Sequence, residues 1–298
     1  MMWNRRELLA MPAAALVAAA QHPVRLGGPI FLKSDDPREL AREHRRLGYS
    51  AAYFPKTAKT DSGSVHAIRA AFAKENVLIA EVGAWVNMLE PDTAKRKKNL
   101  DYVTERLALA DAVEAKCCVN IAGSYNAAQW DGPHPDNLSR RFLDETVSNC
   151  RRVIDAVNPK RTKFTIEMMG WSLPDGPDAY LELIKAVDRR AFGVHMDVCN
   201  IINSPQRYYR NAELIDECFR KLGRWTASCH AKDVGAKAVH FAEVMPGRGG
   251  LDYRAYLRNV AQWKDVPLML EHLKTSEEYD EARGFVRKVG SEIGVAFV

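Results

Sequence analysis

From residue 24 onward, short apolar runs alternate with longer amphipathic stretches rich in Ala, Leu, Arg and Glu. The strand-like runs are 24–30, 49–54, 77–85, 116–123, 163–168, 191–198, 225–233 and 266–273. The stretches between them predict helices over 37–47, 64–75, 91–114, 138–157, 177–189, 207–222, 251–262 and 276–290. Several of these open on N-terminal helix signals, such as Asp36-Pro37, Glu90-Pro91 and Asp175 ahead of Pro177. Strict β–α alternation implies parallel strands joined by helical crossovers. Eight such units favour a single closed (β/α)8 barrel, the TIM-barrel architecture, over an open sheet. An open doubly wound sheet would bind its ligand through a glycine-rich first turn, and "LGGPIFLK" (26–33) has no GxGxxG fingerprint. No internal linker or second domain interrupts the pattern, so one barrel is expected over 21–298.

The first twenty residues, "MMWNRRELLAMPAAALVAAA", do not follow this pattern. A paired arginine, a short apolar stretch and an Ala-x-Ala site before Gln21 read as a secretory-type signal. Arg5-Arg6 followed by Glu7-Leu8-Leu9 resembles a twin-arginine export signal, which implies a periplasmic protein. The stretch is too short to span a bilayer as a stable helix, and an uncleaved anchor is the alternative reading. Nothing later in the chain reads as transmembrane, so no stable membrane insertion is expected.

Composition changes this picture little. Of 298 residues, 47% are hydrophobic and 27% charged, ordinary for a globular protein with a substantial core. The formal net charge of +5 is spread along the chain. Its densest run, "AKRKKN" (94–99), falls in a helical pattern and reads as a solvated face. No basic stripe interleaved with aromatics marks a nucleic-acid track, so no nucleic-acid partner is expected. The six cysteines show no CxxC spacing, and their disulfide status stays open, as does homo-oligomerisation.

The chemistry concentrates at the predicted strand ends, the face where barrels of this kind place their active sites. "KFTIEMMGW" (163–171) brings Glu167 to the end of an apolar strand, where a lone carboxylate costs several kcal/mol unless it finds a partner. The next strand carries "HMDVCN", with His195 and Asp197 on one face by period-two alternation. The seventh carries "SCHAKD", with Ser228, His230 and Lys232 on one face. The eighth ends "LMLEHL", with Glu271 on the face of Met269 and His272 opposite. Four successive strands thus each deliver a Glu, Asp or His to one rim. Three carboxylates and an imidazole suit one hard or borderline divalent cation, such as Mn2+, Mg2+, Co2+ or Zn2+.

These segments carry a resemblance. Through "TIEMMGW", "HMDVCNIINSP", "SCHAKD", "MPGRGGLDY" and "LMLEHL", essentially the whole mature chain resembles the xylose-isomerase-like barrels that include sugar-phosphate isomerases and epimerases. The resemblance implies that Glu167, Asp197, His230 and Glu271 ligate the metal. It also implies that Glu167 and Glu271 form an acid–base pair facing a small carbohydrate from opposite sides. Ketohexose epimerases of the family usually carry a histidine three positions after the aspartate of strand six. This chain has Asn200, which can hydrogen-bond a hydroxyl but cannot titrate near neutrality. A branch that the chain resembles acts on 3-keto-glycosides, eliminating the group at the anomeric carbon.

Further candidate substrate contacts are Lys232, Arg248 in "PGRGGLDY", and Glu81 and Asn120 at the ends of strands three and four. Trp130 and His134 belong to a long segment, 123–137, that reads as a lid able to stack on a sugar ring. The expected chemistry is proton abstraction next to a ketone, with a cation polarising the carbonyl. Isomerisation, epimerisation and elimination would share the same ligands. The histidines that the AP-endonuclease relatives carry on strands two and three are missing from "YFPK" and "AEVGAW", which argues against phosphodiester hydrolysis. An exported sugar-binding protein without catalysis should lack a complete acid–base pair, and this chain keeps both glutamates.

Overall fold

A computed structural model describes residues 22–55, 58, 60–237 and 240–298. The expected export signal over 1–20 therefore lies outside the described residues. The chain builds β1 (Arg25–Gly27), α1 (Pro37–Arg46), β2 (Ala51–Tyr53), α2 (Ser62–Lys74), β3 (Leu78–Gly83), α3 (Thr93–Ala112) and β4 (Cys117–Asn120). It continues with α4 (Arg140–Val157), β5 (Lys163–Glu167), α5 (Pro177–Val187), β6 (Phe192–Met196), α6 (Pro205–Tyr209), α7 (Asn211–Leu222) and β7 (Thr226–Ala231). Then come β8 (Asp233–Lys237), β9 (His240–Val244), α8 (Tyr253–Val260), β10 (Pro267–Leu270) and α9 (Ser276–Glu292).

Eight parallel strands close a barrel in the order β1-β10-β7-β6-β5-β4-β3-β2. The fold is a single (β/α)8 barrel. Strands covered by helices outside and by each other inside must be apolar on both faces, so they read as runs. The helices turn apolar stripes onto the strands: Phe142, Leu143, Val147, Cys150, Val153 and Ile154 of α4 are all buried. Their starts are fixed locally, since Asp36, Asp61, Asp92, Ser139, Asp252 and Thr275 each accept a backbone N–H of the first turn. Gly27 is required where β1 meets β2, because a Cβ there would meet the Ala51 carbonyl oxygen at 2.6 Å.

Two features depart from the expected pattern. The predicted helix over 207–222 is two helices, α6 and α7, broken at Arg210. Between β7 and α8, where a loop was expected to begin, β8 and β9 pair as an antiparallel hairpin outside the barrel. At the opposite end of the barrel the chain closes on itself. Val24, just before β1, donates its N–H to Ala296 and accepts that of Val298.

Candidate metal centre

Strand order brings Glu271, His230, Asp197 and Glu167 to the ends of four adjacent strands, β10, β7, β6 and β5. Their ligand atoms all lie within 4.8 Å of one another. His230 Nδ1 stands 2.9 Å from Glu271 Oε2, 3.2 Å from Glu167 Oε1 and 3.5 Å from Asp197 Oδ2. A single ring proton can serve one of these acceptors at a time. Asp197 Oδ2 is buried and accepts no hydrogen bond of good geometry, though Lys232 Nζ lies 2.8 Å away. Three carboxylates converging on one imidazole nitrogen, one of their oxygens with no well-aligned hydrogen bond, fit a divalent cation at their centre.

The far side of the imidazole supports that reading. His230 Nε2 meets Glu81 Oε2 at 3.2 Å. Glu81, expected at the end of its strand, is buried within β3, two residues before its end, and is also bonded by His195 Nε2 at 3.1 Å and by the Ser228 hydroxyl. A carboxylate behind a ligating histidine fixes its tautomer, leaving the other ring nitrogen bare for a metal. Burial alone would raise the pKa of Glu81, but the charges of His230 and His195 outweigh it and hold the carboxyl well below the usual range. Glu81, His195 and His230 also cluster closely enough to hold an ion. Glu81's oxygens are already taken by three donors, which makes it an anchor.

Two glutamates of the quartet are biased in opposite directions. Burial pushes Glu167 up to about 7, with the Glu271 charge adding to it against His230. Burial works the same way on Glu271, but His230 and Lys232 overcome it and bring the carboxyl down to about 2. Asn200 Nδ2 donates to Glu167 Oε1 at 3.1 Å and to the Met168 carbonyl at 3.0 Å, so it orients that glutamate. Lys232, almost fully buried, places Nζ 2.9 Å from Glu271 Oε2 and 3.4 Å from Glu243 Oε1.

The family described as xylose isomerase-like TIM barrel matches residues 41–289, well over half the chain. The protein belongs to that family. No curated protein sequence matches the chain. Among solved structures, this xylose isomerase-like barrel is similar to a Mycobacterium smegmatis protein of the same description in complex with magnesium. The two share 17% identity over 93% of this chain and 99% of that one, with a TM-score of 0.63. It is similar to the D-psicose 3-epimerase of Clostridium cellulolyticum with D-tagatose, at 14% identity over 89% and 99% of the two chains and a TM-score of 0.63. Endonuclease IV from Thermus thermophilus matches at 16% identity over 90% and 99%, with a TM-score of 0.69. At such identities the likeness shows the fold alone.

The other expected site residues divide. Glu167, Glu271, Lys232, Asn200, Glu81 and Trp130 line one cavity of about 1350 Å3 above the carboxylates. Arg248 does not reach it: its guanidinium is exposed and pairs with Glu281. Asn120 is buried and spends its amide on the backbone of Val86, holding the loop after β3. His134 accepts the Asp136 N–H and packs edge-on against Tyr125, away from the cavity. The segment 123–137 is tied down by Asn137, whose Nδ2 reaches Ser124, Gly132 and Trp171.

Two titratable cavity residues paired with Lys232 or Glu271 escaped the reading of the sequence. Glu243 reaches the mouth from β9, a strand that period and length did not suggest. His272 was expected to face away from Glu271. The strand ends at Leu270, and His272 takes a left-handed backbone (φ 58°), so alternation no longer applies. Its ring lies 2.7 Å from Glu243 Oε2 and 3.5 Å from Glu271 Oε1.

Proposed function

We propose that the protein is a divalent-metal-dependent sugar isomerase or epimerase, an enzyme that moves a proton at the carbon beside a ketone. One observation carries this reading: Glu167, Asp197 and Glu271 converge on one imidazole nitrogen of His230, with both glutamates on the floor of a large cavity. Glu167, Asp197, His230 and Glu271 would hold the cation. When bound, it supplies Lewis-acid polarisation of the ketone. Glu271, kept deprotonated by His230 and Lys232, suits the base. Glu167, raised by burial, suits the acid that returns the proton. Lys232 supplies a buried ammonium for the negative charge that grows on a substrate oxygen. The likeness to a D-psicose 3-epimerase fold supports a small carbohydrate as substrate.

A second reading is elimination from a 3-keto-glycoside, in which the proton leaves as the anomeric substituent departs. Asn200 favours it, because the position that is usually a titratable histidine is here committed to holding Glu167. The cavity volume favours it too. Turnover in deuterated water separates the readings. Isomerase or epimerase action places deuterium beside the ketone of a ketose and changes nothing else in mass. Elimination releases the free aglycone from a 3-keto-glucoside. Glu167→Gln and Glu271→Gln should each slow the chemical step by ~10²-fold or more, with metal occupancy measured alongside. If the metal-replete protein exchanges no proton on either class of substrate, enolisation is not its chemistry.

A further inference from the structure

Two residues after His230 the chain supplies one more charged group to the same rim. Lys232 is 2% exposed, and its carbonyl accepts the Tyr253 hydroxyl at 3.0 Å, so its backbone is fixed. Its ammonium is less committed. Nζ stands 2.8 Å from Asp197 Oδ2, 2.9 Å from Glu271 Oε2 and 3.9 Å from Glu167 Oε1. These are the same three oxygens that face His230 Nδ1. One set of lone pairs thus meets both the ring nitrogen and the ammonium.

A buried ammonium needs partners, because its charge is costly away from water. Among the described residues Lys232 pairs with four carboxylates, and three of them belong to the metal ligands. The fourth, Glu243, stands outside the quartet. It comes from β9 and is partly exposed at the mouth, with Oε1 3.4 Å from Nζ and Oε2 2.7 Å from the His272 ring. Asp197 and Glu271 cannot keep Nζ at 2.8–2.9 Å and also bond a divalent cation without setting two positive charges side by side. The flexible four-carbon stem of Lys232 gives the ammonium a way out, and Glu243 gives it a destination.

We propose that Lys232 is an internal counter-ion that competes with the metal. Its ammonium holds the ligand carboxylates together, and it swings from Asp197 and Glu271 to Glu243 when the quartet takes a divalent cation. Glu243 is then a positioning residue for metal entry, acting through Lys232. The swing also carries the ammonium toward the cavity mouth, where a substrate oxygen can meet it. This rests on the metal reading of the quartet and adds what the site gives up in exchange for the metal.

Mn2+ binding to chelator-treated protein, followed by the electron paramagnetic resonance of the free ion, tests the competition. Lys232→Met keeps most of the stem and removes the charge, so Mn2+ should bind ~10-fold tighter or better. Glu243→Gln alone should weaken binding several-fold. Beside Lys232→Met it should have no effect, because no ammonium is left to place. Reductive methylation with peptide mass spectrometry reads the swing in the unaltered protein, whatever the variants do to folding. Lys232 should react faster with Mn2+ bound than after chelation. Three results would each overturn the competition and leave the metal centre standing. They are Mn2+ binding by Lys232→Met that is no tighter, a Glu243→Gln effect that persists beside it, and methylation of Lys232 that Mn2+ does not speed. Failure of the unaltered protein and of every variant to bind Mn2+ would remove the centre and the competition together.

Discussion

A proton on His230 Nδ1 can bond to Glu167, Asp197 or Glu271, but only to one of them, and a cation replaces it to the advantage of all three. That competition sets the response to pH. Burial raises Glu167 to about 7. Burial would lower His230, yet the charges of Glu271 and Glu81 override it and raise its pKa well above the usual histidine value. Both protons oppose the cation. Affinity for Mn2+ should therefore fall as pH drops through about 7 and rise above it, with protons released on binding. Calorimetry in buffers of different ionisation enthalpy measures that release, and a pH-independent affinity would refute it. Glu81 acts at one remove, through the Nε2 of the same ring. Glu81→Gln exchanges a full acceptor for a half-donor facing two imidazoles, and should weaken Mn2+ binding ~10–100-fold with the circular dichroism unchanged. Residue type and period two brought acidic and imidazole groups of four strands to one rim, and the family resemblance then singled out the quartet, choosing Asp197 over His195 on its strand. The role of Glu81 was not legible in the sequence, since its partners come from β6 and β7 across the barrel interior.

At the scale of elements, the barrel strands were legible because burial on both faces writes them as apolar runs. What escaped is whatever parallel alternation does not encode. The β8–β9 hairpin interrupts the crossover from β7 to β10, and it carries Glu243 to the mouth. Its return loop is gathered by one side chain. Asp233 accepts the N–H groups of Val234, Gly247, Gly249 and Leu251 at 2.7–3.2 Å. Removing a charged acceptor shared by four backbone donors leaves them unpaired, those of Val234 and Leu251 in a buried setting. Asp233→Ala should cost about 2–4 kcal/mol and lower the melting temperature by several degrees. It should also expose the 245–251 loop to proteolysis. A variant as stable and as resistant as the unaltered protein would show that the loop holds itself. The break at Arg210 was likewise hidden, because no glycine or proline marks it.

For the molecule as a whole, all six cysteines are free and buried among the packed strands and helices. Burial pushes the thiols of Cys118 and Cys218 up to about 12, and those of the other four higher than their usual value as well. A buried neutral thiol is a small hydrophobe and a poor nucleophile. The folded protein should therefore be inert to Ellman's reagent at mildly alkaline pH and react at six thiols once unfolded in guanidinium. Fast reaction of any one in the native state would contradict that packing. No described helix is long and apolar enough to cross a membrane. The meeting of Val24 with residues 296–298 has a use beyond closing the barrel. His22 and Val298, the outer limits of the described residues, both lie at the face where the strands begin, opposite the cavity. A protein immobilised through Val298 would stand with its mouth turned toward the solution. Joining residue 22 to residue 298 and reopening the chain elsewhere would yield circular permutants in which every strand keeps its neighbours.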